Sequence, residues 1–385
     1  MKRSYKFRLY PTKEQADSLN FLLEQGRLLY NAALQERRDA WQFQKVSINY
    51  YHQANQLKDI RQDDPDGLGK LNYSACQQVL RRLDKAFKSF FRRCKLGQKP
   101  GFPRFKGKGW FSSLAFCYGD GLRLENDRLY VQNVGHIRIF QHRPIPNDSI
   151  IKQVIIKQDR LNNWYVIFQI ELPDVAVVPN GKPEVGVDMG LEFFASLSTG
   201  EQIDNPRWFR TSEEKLATTQ RKRSRTKKGS KRNKQLRYLV AKQHQHIANQ
   251  RRDFQHKLSH RLVSEFGFIA VEDLNIKGLC RSHVSKSMGD AAWAQFIAML
   301  SYKAWSAGSE VVEVDPRHTS QVCPECGCIA KKSLSDRVHD CPHCGYVVPR
   351  DIAASQVILA RGKAGTLPPR KGLLLNSRSW EADGF

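Results

Sequence analysis

The chain has 385 residues, enough for two or three domains, and carries 63 Lys and Arg against 38 Asp and Glu, a formal net charge of +25. Positive charge at this level points to a polyanionic partner, nucleic acid before a membrane surface. No apolar run of about 18 residues occurs and no apolar core follows Met1, so neither a membrane span nor a cleaved leader is expected, and the cytoplasm is the expected compartment.

Residues 2–10 alternate Tyr5, Phe7 and Leu9 with Lys6, Arg8 and Tyr10, the period of a half-buried strand. Pro11 ends it, and Thr12 with Gln15 forms a capping box for a helix whose apolar stripe runs from Ala16 to Leu34 and closes at Glu36-Arg37-Arg38. A second short helix is expected over 46–57 and a loop over 63–67. A third carries Cys76, Val79, Leu80, Leu83 and Phe87 on one face, and Arg81, Arg82 and Lys85 on the other. That basic face is read as a nucleic-acid surface, with an ordinary solvated face as the alternative. Residues 95–108 turn to Gly, Pro, Lys and Phe, a boundary where Arg104 and Lys106 can meet phosphates. Strands are then expected at 122–124, 128–131, 136–139, 150–156 and 164–170. With the first strand they would close a small barrel or sandwich, the 12–95 helices forming an inserted lobe. Residues 173–183 read as a linker.

Val185-Gly186-Val187-Asp188-Met189-Gly190 follows, an apolar strand ending on a carboxylate, which is costly unless a cation compensates it. A second strand at 192–197 comes next. Residues 221–237 then carry Arg221, Arg223, Lys227, Lys228, Lys231 and Arg232 among other cations and no acid, a run that wants a polyanion beside it even if it is only a solvated arm. A long helix continues through Leu262. Phe268-Ile269-Ala270-Val271 is another strand and ends on Glu272, chosen over Asp273 because it directly follows the apolar run. A helix over 291–305 and a strand over 311–315 complete a mixed sheet with flanking helices. Asp351 heads an Ala-rich helix. Asp188, Glu272 and Asp351 together suit a two-metal site for phosphodiester hydrolysis. Taken singly they also read as a turn acid, a cap acid and a helix N-cap. No GxxxxGK loop occurs, so ATP chemistry is not expected.

Nine cysteines are present, and five fall within 323–344. Cys323-Pro-Glu-Cys326-Gly and Cys341-Pro-His-Cys344-Gly are paired knuckles that supply four thiolates to one structural zinc, leaving no open position. Redox pairs are the alternative. Cys328 is a spare thiol.

Several ordered motifs, Tyr5-Lys6-Phe7-Arg8-Leu9-Tyr10-Pro11, Gly26-Arg27-Leu28-Leu29-Tyr30-Asn31, Gly101-Phe102-Pro103-Arg104-Phe105-Lys106, Gly186-Val187-Asp188-Met189-Gly190, Val271-Glu272-Asp273-Leu274, Thr319-Ser320-Gln321-Val322-Cys323, Ser333-Leu334-Ser335-Asp336-Arg337 and Arg350-Asp351, resemble the TnpB family of transposon-encoded RNA-guided DNA endonucleases. The resemblance covers nearly the whole chain. It implies an α+β multidomain fold: a β-barrel domain from 1–11 and 96–180, a helical recognition lobe at 12–95, a RuvC-like nuclease of RNase H fold from 184–318 and 347–361, a zinc ribbon at 319–346, and a mobile tail at 362–385. It implies that Asp188, Glu272 and Asp351 bind Mg2+, two ions being expected, and cut DNA. It further implies a guide RNA from the transposon end, which pairs with target double-stranded DNA beside a short flanking motif in a prokaryotic nucleoid. One triad per chain fits a monomer. The family continues its last acid with Asn-Ala-Ala and a second Asn, whereas Ala353-Ala354-Ser355 and Val357 stand here. A guided DNA-binding or repression protein with weak or no cleavage and a strand-transfer transposase are the competing readings.

Overall fold

The computed structural model describes residues 2–125, 127–173, 180–274, 291–333 and 335–365. Most of the expected linker at 173–183, Cys280, Leu334, and the expected tail beyond residue 365 lie outside the described residues. The chain divides into two units, Met1–Asp174 and Val175–Phe385. Among the described residues no helix is long and apolar enough to cross a membrane.

In the first unit, β1 (Lys2–Tyr10) precedes α1 (Lys13–Gln44), α2 (Tyr50–Asp63) and α3 (Tyr73–Lys95). Then follow β2 (Ser113–Cys117), β3 (Leu122–Glu125), β4 (Arg128–Val131), β5 (Gly135–Phe140), β6 (Ile150–Gln158) and β7 (Trp164–Glu171). The sheet order is β2-β6-β7-β1-β5-β4-β3, antiparallel throughout, and it curls into a nearly closed barrel with the helices inserted after its first strand. The alternation read in β1 sets its register: Phe7 lies opposite Val166, and both side chains are buried. The expected capping box is present, since Thr12 Oγ1 accepts from the Gln15 N–H and Gln15 Oε1 accepts from the Thr12 N–H.

Helix limits differ from the expectation in two places. α1 runs past Arg38 to Gln44, where Lys45 closes it in a left-handed conformation (φ 58°), so its last turn persists after the apolar stripe has ended. α2 begins at Tyr50 rather than residue 46 because the Asn49 side chain accepts from the Tyr51 and His52 N–H groups. β2 is an additional strand beyond those expected from the sequence; it pairs with β6 at one edge of the sheet.

The second unit contains β8 (Glu184–Asp188), β9 (Phe193–Leu197), β10 (Gln202–Asp204), α4 (Trp208–Ser224), α5 (Lys231–Glu265), β11 (Phe268–Glu272), α6 (Trp293–Ala307) and β12 (Glu310–Val314). A two-stranded piece, β13 (Val338–Asp340) and β14 (Val347–Pro349), precedes α7 (Arg350–Lys363). The sheet order is β10-β9-β8-β11-β12; β8, β11 and β12 are parallel, and β9 runs antiparallel to both of its neighbours. This is the mixed RNase H arrangement. β8 and β11 are buried apolar runs, as strands covered on both faces must be. The basic run at 221–237 is not a loose arm. It spans the end of α4, the turn and the start of α5, a hairpin held by Asn233 Nδ2 donating to Thr226 Oγ1 (2.8 Å) and by Ser230 capping α5.

Candidate active site and cysteine cluster

β8 and β11 are parallel neighbours with Val187 opposite Val271, so Asp188 and Glu272, one residue further on, emerge from the same sheet edge. α7 supplies the third acid, Asp351, in its first turn. Glycine sets how close that helix lies. A Cβ on Gly186 would fall 1.9 Å from the Ser355 carbonyl oxygen, and one on Gly362 would fall 2.8 Å from Ala270 Cβ. Only a side chain of hydrogen lets α7 rest on β8 at this distance. Ala353, Ala354, Ser355 and Val357 are buried on that helix.

The charges of the other two acids bear on Asp188. The Asp188 carboxyl is pushed well above the usual carboxylate range, first by burial and then by the charges of Glu272 and Asp351, with Arg350 pulling the other way. Burial also raises the Glu272 carboxyl; the Thr319 hydroxyl, donating to Glu272 Oε1 at 2.5 Å, and the charge of Arg361 oppose the rise. Arg350 Nε lies 3.4 Å from Asp351 Oδ1. Among the described residues, the only sets of three or more potential ligand atoms mutually within 4.8 Å contain cysteine, so the acids meet through their fields at a wider spacing. An all-oxygen set of carboxylates, two of whose charges oppose ionisation of the third, Asp188, fits a hard divalent cation such as Mg2+. Thr319 and Arg350 have no role that the sequence alone assigns. Thr319 precedes the first cysteine by four positions, and no spacing rule flags a single hydroxyl there.

Cys323, Cys326, Cys341 and Cys344 converge, with Sγ atoms 3.6 Å apart for both Cys323–Cys344 and Cys326–Cys341. Tetrahedral zinc at about 2.3 Å from each sulfur requires about 3.8 Å between sulfurs, so the cluster has zinc-binding form. Each knuckle turns on a glycine in the left-handed region, Gly327 (φ 75°) and Gly345 (φ 74°). The Cys341 thiol is held down to about 6, first by the backbone N–H of Cys344 and then by that of His343. Cys326, Cys328 and His343 form a second close set beside it.

The basic candidates fall into different settings. Arg221, Lys227, Lys228, Lys231 and Arg232 are exposed on the hairpin, while Arg223 is half-buried. On α3, Lys85 is exposed and Arg81 lies over the Tyr50 ring (5.3 Å). Arg82 turns inward, donating to the Ser113 carbonyl (3.1 Å) and lying over Phe111. Arg104 is exposed, and Lys106 places Nζ 5.6 Å from the Tyr30 ring centroid.

A nearly closed barrel with inserted helices, and an RNase H sheet whose chain continues into a four-cysteine ribbon before its last acid, define a class of nucleases linked to mobile elements. Residues 167–283 match the family described as Probable transposase, residues 293–358 the Cas12f1-like TNB domain, and residues 1–45 a Helix-turn-helix domain. Over that last stretch the fold is one strand and one long helix. A "Putative RNA-guided DNA endonuclease" of Streptomyces pristinaespiralis is 33% identical over 371 residues, spanning 95% of this chain and 90% of the relative. A second, InsQ of Escherichia coli (strain K12), described in the same words, is 29% identical over 386 residues and 94% of each chain. The solved Cas12f1-sgRNA-target DNA complex contains a chain of the same fold, at 14% identity and a TM-score of 0.58, covering 90% of this chain and 83% of that one. The chain belongs to the TnpB/Cas12f1-like transposase-nuclease family.

Proposed function

We propose that this protein is an RNA-guided DNA endonuclease in which Asp188, Glu272 and Asp351 hold Mg2+ at the edge of the RNase H sheet. The observation that carries the reading is geometric: Asp188 and Glu272 stand at the ends of adjacent parallel strands with Asp351 in the first turn of α7, close enough that the other two acids and burial oppose ionisation of Asp188, an arrangement that a divalent cation relieves. When bound, Mg2+ supplies charge for the attacking and leaving oxygens of a phosphodiester. The chain's own residues prepare the place. Asp188 and Glu272 present oxygens from adjacent strand ends, Thr319 fixes the Glu272 carboxylate, and α7, seated against Gly186, carries Asp351. The four cysteines hold one structural zinc within 319–346, which ties the approach to α7 and so positions Asp351 without touching the reacting atoms. Guide RNA and target double-stranded DNA meet the basic surfaces of a +25 chain, and a single copy suffices because it carries one carboxylate set. Pairing by the guide supplies the target sequence.

The test is to express the chain with its native flanking DNA, sequence the RNA that copurifies, and assay Mg2+-dependent cleavage of duplexes matching that RNA's variable end. Cleavage that requires both RNA and matching sequence is expected, with Asp188→Ala, Glu272→Ala and Asp351→Ala each losing it while retaining RNA-dependent binding. Binding without cleavage would make this a guided binding protein. The match to the Probable transposase family favours one second reading, strand transfer, which would leave joined rather than cut products.

A further inference from the structure

The segment Gly101-Phe102-Pro103-Arg104-Phe105-Lys106 is extended chain without helix or strand, strapped across two helices. At one end, the Phe102 ring stands edge-on to Phe87 (5.5 Å) and Phe90 (5.3 Å) of α3, and Phe91 adjoins both α3 rings. At the other, Arg38 of α1 lies 5.3 Å from the Phe105 ring centroid. Lys106 pins the strap to α1: its N–H donates to Asn31 Oδ1 (2.8 Å), and its carbonyl accepts from Arg27 Nη1 and Asn31 Nδ2 (3.0 Å each). The rings nevertheless remain open to solvent, Phe91 at 56%, Phe102 at 47% and Phe105 at 44%. Basic residues recur through 92–108 and no acid does. Asp84, the nearest acid on α3, is already paired with Arg37 and Lys88.

We infer that this face is a stacking platform for unpaired nucleotides of the bound RNA. Cations guide the phosphates, and the exposed rings take base faces, which a duplex would hide but a single strand offers. RNA is favoured over a displaced DNA strand because clustered exposed rings in a strongly cationic chain need a lasting cover, and the guide is the resident polyanion. A solely structural role accounts for the edge-on packing of Phe102 but leaves the exposed faces of Phe91 and Phe105 and the absence of acids along the strap without a cause. The inference rests on the guided reading, and its test separates the two.

The experiment transcribes the copurifying RNA with 4-thiouridine, cross-links the protein–RNA complex before any DNA is added, and maps the peptides, alongside equilibrium binding of the same RNA. Cross-links within 99–106 are expected. Phe105→Leu, which removes the ring and its cation–π contact with Arg38 but keeps an apolar side chain and every charge, should weaken RNA binding about 10-fold while leaving the slope of log K against log salt unchanged. Phe105→Trp should restore binding. Phe102→Leu should act in the same direction, with its melting temperature measured because that ring also packs on α3. Parental affinity in both leucine variants, or cross-links at the strap that appear only with a labelled DNA strand, would overturn the platform and leave guided cleavage standing. A chain that binds no RNA would remove both readings.

Discussion

Asp188→Asn should stabilise the metal-free protein at neutral pH while abolishing cleavage. The amide keeps the shape of the carboxylate and removes its charge from a place where burial, Glu272 and Asp351 all oppose ionisation. Buried like charges at an effective dielectric of about 20 repel by roughly 1–4 kcal/mol. Arg350 offsets part of this, so a gain of about 1–3 kcal/mol is expected. For a unit of this size, that is about 3–9 °C in Tm. The sign with pH follows from the raised carboxyl. Below the unfolded value near 3.9, Asp188 is protonated in both states and costs nothing. As pH rises through the unfolded value toward the elevated folded one, the parent loses stability that the uncharged variant keeps. The gap between variant and parent should therefore widen as pH rises above the unfolded value and close as the solution is acidified. Mg2+ should narrow the gap, stabilising the parent by about 2.7 kcal/mol at 100 times its Kd and the variant by less. Differential scanning calorimetry with and without Mg2+ checks this. A variant less stable than the parent in EDTA at every pH would refute the argument that this carboxylate is held under electrostatic load.

Three further outcomes follow from other contacts. Gly186→Ala forces a methyl to within 1.9 Å of the Ser355 oxygen, so it should destabilise the second unit by about 3 kcal/mol or more, measured by thermal unfolding. Elemental analysis should find one zinc per chain, and Cys341→Ser should lose both the zinc and most cleavage, since the helix bearing Asp351 starts close behind that knuckle. Thr319→Val removes the hydrogen bond that holds the Glu272 carboxyl down, so the acidic limb of the pH–rate profile should move to higher pH, with about 10-fold less cleavage at its acidic end.

What the sequence made legible is what local chemistry encodes. Two-residue alternation marked β1, apolar runs ending on acids marked β8 and β11, and paired knuckles marked the cysteine cluster. The gaps have physical causes. The last turns of α1 carry Trp41 and Phe43 on the solvent side, so no apolar stripe announces them, and the stop at Lys45 depends on one left-handed residue. β2 is an edge strand whose identity comes from pairing with β6 some 40 positions later, a contact that no local pattern states. Arg82 shares a basic helix face with Arg81 and Lys85 in sequence, yet it turns toward Ser113. A helical repeat assigns a side to a residue, and only the tertiary fold decides which cations are consumed internally. The contact of Thr319 is hidden for the same reason, though its motif is legible: its partner, Glu272, is 47 positions away.

The departure at Ala353 and Val357 now has a structural context. Both side chains are buried on a helix that lies against Gly186 and carries Gly362 close to Ala270, where two apolar residues pack without leaving polar atoms to satisfy. Amides at these positions would each need hydrogen-bond partners in a tightly closed interface, whereas alanine and valine need none. The substitutions are therefore compatible with a well-seated α7, and a seated α7 is what brings Asp351 to the strand ends. Position 353 follows Asp351 by two residues and lies on a different side of the helix, so losing an amide there removes no carboxylate from the cluster. The carboxylate frame in this chain depends more on how closely helix and sheet approach, which the two glycines permit, than on polar groups along the helix.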